Sequence, residues 1–126
     1  MTDFRTLATV RHHAMVLADY EFDVPLDHAK PSGETLRLFA RAVRSVKKSA
    51  TDLPWLVFLQ GGPGFPGPRP LTNTGWLKRA LDDYRVLLLD SRGNGRSSVV
   101  LPQTLACRGV PGDARISCTS CASDVT

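Results

Sequence analysis

Two glycine-punctuated segments hold the residues whose types and spacing could do chemistry. The first is Gln60-Gly61-Gly62-Pro63-Gly64-Phe65-Pro66-Gly67-Pro68, directly after the apolar run Leu56–Leu59. Glycines let a backbone approach a ligand closely and adopt positive φ; prolines fix a turn and remove competing N–H groups. At the carboxyl end of a buried strand, such a loop can turn free backbone N–H groups toward an oxyanion. A plain Gly/Pro connection has the same composition. No Gly-Lys-Ser/Thr follows, which argues against a nucleotide-phosphate loop.

The second segment is Asp90-Ser91-Arg92-Gly93-Asn94-Gly95-Arg96-Ser97, directly after Val86–Leu89. Gly93-Asn94-Gly95 forces a tight turn, and Asp90 and Arg92 can pair or brace neighbouring loops. A dinucleotide fingerprint would need glycine at position 98, where Ser98 stands. Bracing is the favoured role. Cys107, Cys118 and Cys121 fall in the last twenty residues, and Cys118 and Cys121 form a C-x-x-C. A zinc site would need further ligands, and His12, His13 and His28 lie far upstream. A redox pair should open a helix after a strand, which this surrounding sequence does not offer. They read as tail cysteines; no metal and no cofactor is expected.

The elements that position these loops are legible as changes of period. Ala18, Tyr20, Phe22 and Val24 alternate with Asp19, Glu21 and Asp23, and Pro25 closes the run. Leu36, Leu38, Ala40 and Ala42 alternate again, with Arg37 and Arg41 on the other face. Period two is a half-buried strand, and turn residues from Asp27 to Gly33 link the pair into an antiparallel hairpin. The runs 54–59 and 86–89 are short and almost wholly apolar, as in strands covered on both faces of a parallel sheet. Between them Trp76, Leu77, Ala80 and Leu81 fall at helical spacing, with Thr72, Asn73 or Thr74 as N-cap. A hairpin leading into a βαβ unit predicts an α/β fold with a mixed sheet. After Leu105 no period of 2 or 3.6 remains, so residues 107–126 read as an irregular tail.

The chain has 126 residues, 42% of them hydrophobic, which fits one domain. Its net charge of +4 is spread, with Lys47-Lys48 the adjacent basic pair between Arg37 and Lys48. A nucleic-acid partner would call for a denser basic stripe with interleaved aromatics. No apolar run nears the ~20 residues that span a bilayer, and Met1 to Arg11 lacks a secretory pattern. The expectation is a cytoplasmic chain with neither a nucleic-acid nor a membrane partner.

In order, these residues resemble the proline iminopeptidase (prolyl aminopeptidase) family of α/β-hydrolases. A hairpin contains Val24-Pro25-Leu26-Asp27-His28; an apolar strand enters Gly61-Gly62-Pro63-Gly64; a helix and a strand then lead into Asp90-x-Arg92-Gly93-x-Gly95-x-Ser97. The resemblance covers roughly residues 15–106, the amino-terminal part of such an enzyme. Gln60 stands where the family commonly has His, and Ser91 and Asn94 where it has Gln and Thr. The resemblance implies an incomplete α/β-hydrolase sheet over residues 1–106. It also implies an oxyanion-hole N–H from Gly62, with Gly61 beside it, and a structural loop of Pro63, Gly64, Asp90, Arg92, Gly93 and Gly95. Family members release N-terminal proline from peptides by serine acyl transfer, so a peptide with N-terminal proline is the implied substrate.

Acyl transfer needs a nucleophile, a base and an orienter within hydrogen-bond reach. In α/β-hydrolases the serine sits in G-x-S-x-G, followed in the chain by Asp/Glu and then His. This sequence has no G-x-S-x-G, and its histidines all precede residue 29. Neither Ser97 nor Ser98 has a glycine two residues beyond it. The expectation is a chain without a catalytic triad and inactive alone. The alternatives are a non-catalytic module binding a small anion or a partner, and a non-functional fragment. Loss of periodicity after Ala106, where the cysteines arrive, fits a shifted reading frame.

Overall fold

In a computed structural model describing residues 4–61 and 64–98, the two alternating segments extend to eleven residues each. They are β2 (Met15–Pro25) and β3 (Thr35–Ser45), paired antiparallel from Met15↔Ser45 to Pro25↔Thr35. The hairpin gains a strand that periodicity did not reveal: β1 (Phe4–His12) pairs antiparallel with β2, its register shifting between Thr6 and Ala8. Every residue of β1 except His12 is exposed, so no buried face imposes alternation on its sequence. A 3-10 turn at Val46–Lys48 leads out of β3 toward β4 (Trp55–Leu59). Then come α1 (Gly75–Asp83) and β5 (Arg85–Leu89).

The strands form one mixed sheet in the order β1-β2-β3-β5-β4, with β5 antiparallel to β3 and parallel to β4. This is a partial α/β arrangement, with the helix between two adjacent parallel strands. Thr74 is the N-cap, in extended conformation and without a side-chain capping bond. Leu77 and Leu81 enter a core with Met15, Val43, Val86 and Leu88, while Trp76 stacks on Phe58 with ring centroids 4.9 Å apart.

That packing settles which face the helix covers and corrects one sequence expectation. The helix covers the face bearing Met15, Leu17 and Val43, which the register places with Asp19 and Arg41. It does not cover the face of Ala18, Leu38, Ala40 and Ala42, where the alternation is cleanest. Arg41 is therefore a half-buried member of the helix-bearing face, flanked by buried Ala40 and Ala42. The correction concerns β4. Although its sequence is wholly apolar, it is not covered on both faces, and Trp55, Leu56, Val57 and Leu59 are exposed. Its position fits this: among the described residues β4 ends the strand order, with a neighbour only in β5. The tail 107–126, including Cys107, Cys118 and Cys121, lies outside the described residues. Among those described, no helix is long and apolar enough to cross a membrane.

Candidate functional site

Because β4 and β5 are adjacent and parallel, the chain leaves both at the same end of the sheet. The Gly/Pro loop after Leu59 and the Asp90–Ser98 segment after Leu89 therefore meet, as ligand-binding loops do at the carboxyl ends of parallel strands. Gly61 is exposed, and the Gln60 side-chain amide donates to its carbonyl at 3.1 Å. Gly62 and Pro63 lie outside the described residues. Gly64 follows at φ +98°. Gly67 is buried, and a Cβ there would stand 3.1 Å from the Leu89 carbonyl and 3.2 Å from the Asp90 carboxylate.

Asp90 joins the two loops. Its carboxylate has no solvent exposure, yet it is not orphaned. Oδ1 accepts the Gly67 N–H at 2.8 Å; Oδ2 accepts the Arg96 N–H at 2.8 Å and a guanidinium N–H of Arg69. Gly95, at φ +57°, passes so close that an added Cβ would lie 2.6 Å from the Asp90 Cγ. Backbone at that distance explains a glycine independently of its φ.

The segment then takes over the job of a sheet neighbour. The β3–β5 register runs only over Ala40–Val43 of β3, leaving Phe39 and Arg37 beyond it. Ser97 Oγ accepts the Phe39 N–H at 2.9 Å and donates to the Asp90 carbonyl at 2.7 Å. Ser98 Oγ accepts the Arg37 N–H at 2.9 Å, and the Ser98 N–H donates to the Arg37 carbonyl at 2.7 Å. Both serines thus satisfy backbone groups on a strand that has outrun its partner. Neither has a histidine among these partners.

Arg92 reaches across to the hairpin loop, donating to the Leu26 and Pro25 carbonyls at 3.0 Å each and standing 2.8 Å from His28 Nε2. Gly93, at φ +83°, makes the turn that carries it there. Beneath these loops Asp19 binds Arg41 bidentately, at 2.6 and 2.9 Å, and Arg96 at 2.9 Å. The Arg41 hydrogen bond holds the Asp19 carboxyl below its ordinary value, against burial and with help from the Arg41 and Arg96 charges. The same bond raises Arg41. The Arg96 and Arg69 guanidiniums both lie on the Phe39 ring, 4.1 and 4.9 Å from its centroid.

The site residues Gly64, Asp90, Arg92, Gly93 and Gly95 therefore occupy one end of the sheet with Gly61. Sequence reasoning missed Asp19, Arg41, Arg69 and Ser97 as parts of the same assembly. For Asp19 and Arg41 a signal existed, since opposite charges directly across a hairpin form cross-strand pairs. For Arg69 none did, because its partner is 21 residues away in a separate loop. Chemically, the arrangement is a hydrogen-bonded support of paired charges next to a glycine loop. No group of three or more His, Cys, Asp or Glu among the described residues could hold a metal ion.

No family model matches the chain. A proline iminopeptidase of Aeromonas sobria is 52% identical over 86 residues, covering 68% of this chain and 20% of that protein. A proline iminopeptidase of Aspergillus aculeatus is 46% identical over 94 residues, covering 73% of this chain and 21% of that protein. The chain thus spans about a fifth of the length of the curated relatives it matches.

Proposed function

This chain is a relative of the proline iminopeptidases, and we propose that it carries the oxyanion-forming loop of a serine aminopeptidase without the catalytic triad. In this reading the five strands are the start of an α/β-hydrolase sheet. The Gly62 N–H, with Gly61 beside it, is a donor to the oxyanion that forms when a nucleophile adds to the carbonyl of an N-terminal proline. Such donors act where negative charge develops, and each is worth about 2.7–4 kcal/mol of barrier. The single observation that carries the reading is the loop's setting. A Gly-Gly-Pro-Gly loop leaves a parallel strand and is pinned at Gly67 to the buried carboxylate of the next strand's loop.

The nucleophile, acid and base must come from residues that this sequence lacks. The second oxyanion N–H belongs to the residue after the nucleophile and is missing with it. Ser97 is no substitute: it is buried and both of its hydroxyl bonds go to backbone. The chain alone is then an anion-binding support, with peptide turnover a property of an assembly that also holds a triad. The reading includes a reducing, cytoplasmic setting, which an odd set of three cysteines fits.

Titration of the chain with acetate and with phosphate, followed through backbone amide resonances, tests the loop assignment. Saturable shifts at Gly61 and Gly62, lost in Gly62→Pro and kept in Phe65→Ala, are the expected result. Proline removes the N–H itself, while the Phe65 substitution controls for disturbance of the loop. Shifts that do not saturate, or that survive Gly62→Pro, would remove the oxyanion role.

A further inference from the structure

The three groups that meet the Asp90 carboxylate are all donors: two backbone N–H groups, from Gly67 and Arg96, and the Arg69 guanidinium. A carboxylate, with lone pairs on both oxygens and no donor of its own, can accept from all three at once. An asparagine would turn its NH2 toward one of those donors and leave a buried N–H facing another N–H. The chain's own geometry admits nothing larger, because Gly95 and Gly67 close on the same carboxylate from two loops. Asp90 is fixed in turn by its backbone, its N–H donating to the Phe39 carbonyl at 3.0 Å and its carbonyl receiving the Ser97 hydroxyl.

Consider what this does to the Gly/Pro loop. At its start, Leu59 is held in the sheet opposite Leu89. At its end, Gly67 and Arg69 are held by Asp90, with Arg69 also donating to the Gly67 carbonyl at 2.8 Å. The loop is thus anchored at Leu59 before it and at Gly67 after it, on adjacent strands. An oxyanion donor must be placed to within about 0.5 Å to be useful, and one free end would forfeit that precision.

We infer that Asp90 is a positioning residue: its carboxylate, acting through Gly67 and Arg69, sets the place of the described parts of the Gly/Pro loop, at Gly61 and from Gly64 onward. The inference rests on the loop's proposed oxyanion role for its purpose, but its test does not. It also assigns Arg69 a part, since that guanidinium balances the buried charge and ties the loop to the Phe39 ring.

The test is 15N relaxation on the labelled chain, comparing Asp90→Asn, Arg69→Gln and Ser97→Ala. Ser97→Ala removes the bridge from Phe39 to Asp90 and lowers stability, but leaves the three donors on the carboxylate. In the wild type the Gly61 and Gly64 amides are expected near the order parameter of rigid backbone, about 0.85. In Asp90→Asn they fall below about 0.6, and the Gly67 and Arg96 amide resonances move upfield as their charged acceptor is lost. Arg69→Gln moves the same amides in the same direction by less, and decides the matter if Asp90→Asn does not fold. Unchanged order parameters in both variants, or equal loosening in Ser97→Ala, would make Asp90 a merely structural residue. A rigid loop that fails to bind acetate or phosphate would instead remove the oxyanion reading and leave the positioning role standing.

Discussion

His13 is the non-glycine residue at positive φ among the described residues, at 50°. It opens the two-residue turn between β1 and β2, where His12 faces Met15. Two-residue hairpins favour glycine at a first position of positive φ, because a Cβ there crowds the following backbone. Its ring meets that of His12 edge-on, with centroids 4.2 Å apart, and this contact does not require the strained backbone. His13→Gly is therefore expected to stabilise the chain by about 0.5–1 kcal/mol, after allowing for the greater freedom of glycine in the unfolded state. Urea unfolding followed by circular dichroism checks it; a lower midpoint with an unchanged slope would contradict the strain argument. At this same scale Ser97 and Ser98 show why motif reading reaches a boundary. A hydroxyl that caps a strand's unpaired N–H has the sequence appearance of any serine after Gly-x.

Between β2 and β3 the polar positions of the two strands form a ladder, with Asp19 opposite Arg41 and Asp23 opposite Arg37. The sign of its pH dependence follows from Asp19. Arg41's hydrogen bond keeps the folded carboxyl below the ordinary value of 3.8, so on acidification the unfolded chain takes up a proton first. Stability from this pair is complete above about pH 5 and is lost as pH falls toward the folded value. Asp19→Asn should lower the neutral-pH plateau by about 1.5–3 kcal/mol, the range for hydrogen bonds to charged groups, and make the acid limb shallower. Urea midpoints from about pH 3 to pH 7 measure this; identical acid limbs would contradict it. The hairpin, the helix and both apolar strands were legible in the sequence because each has a period or an uninterrupted run. β1 was not, since an exposed strand needs no alternation, and neither was the burial of Arg41, which depends on which face α1 covers. Edge position was equally invisible. Trp55–Leu59 reads as an interior strand, and only the strand order shows its second side without a neighbour among the described residues. In the site, the glycines and Asp90 were legible as turn and charge chemistry. The joining of Asp90 to Gly67 and Arg69 was not, because it links loops more than 20 residues apart.

Over the whole molecule, one end of the sheet gathers the two glycine loops around the buried Asp90 carboxylate, and the proposed reading assigns them the oxyanion support of a hydrolase without its triad. Binding and oxyanion stabilisation without a triad can leave rate enhancements of ~10³–10⁴ over water in an otherwise intact site. On the proposed reading the second oxyanion donor goes with the nucleophile, so even that residue of activity should be absent. The most direct measurement treats the chain with a fluorophosphonate probe, which reports an activated serine whatever the substrate, beside an assay on proline-linked chromogenic amides. The account predicts hydrolysis indistinguishable from buffer and no labelled serine. Stoichiometric labelling abolished by Ser97→Ala or Ser98→Ala, together with amide hydrolysis lost in the same variant, would contradict it and place a nucleophile in the segment read here as scaffold.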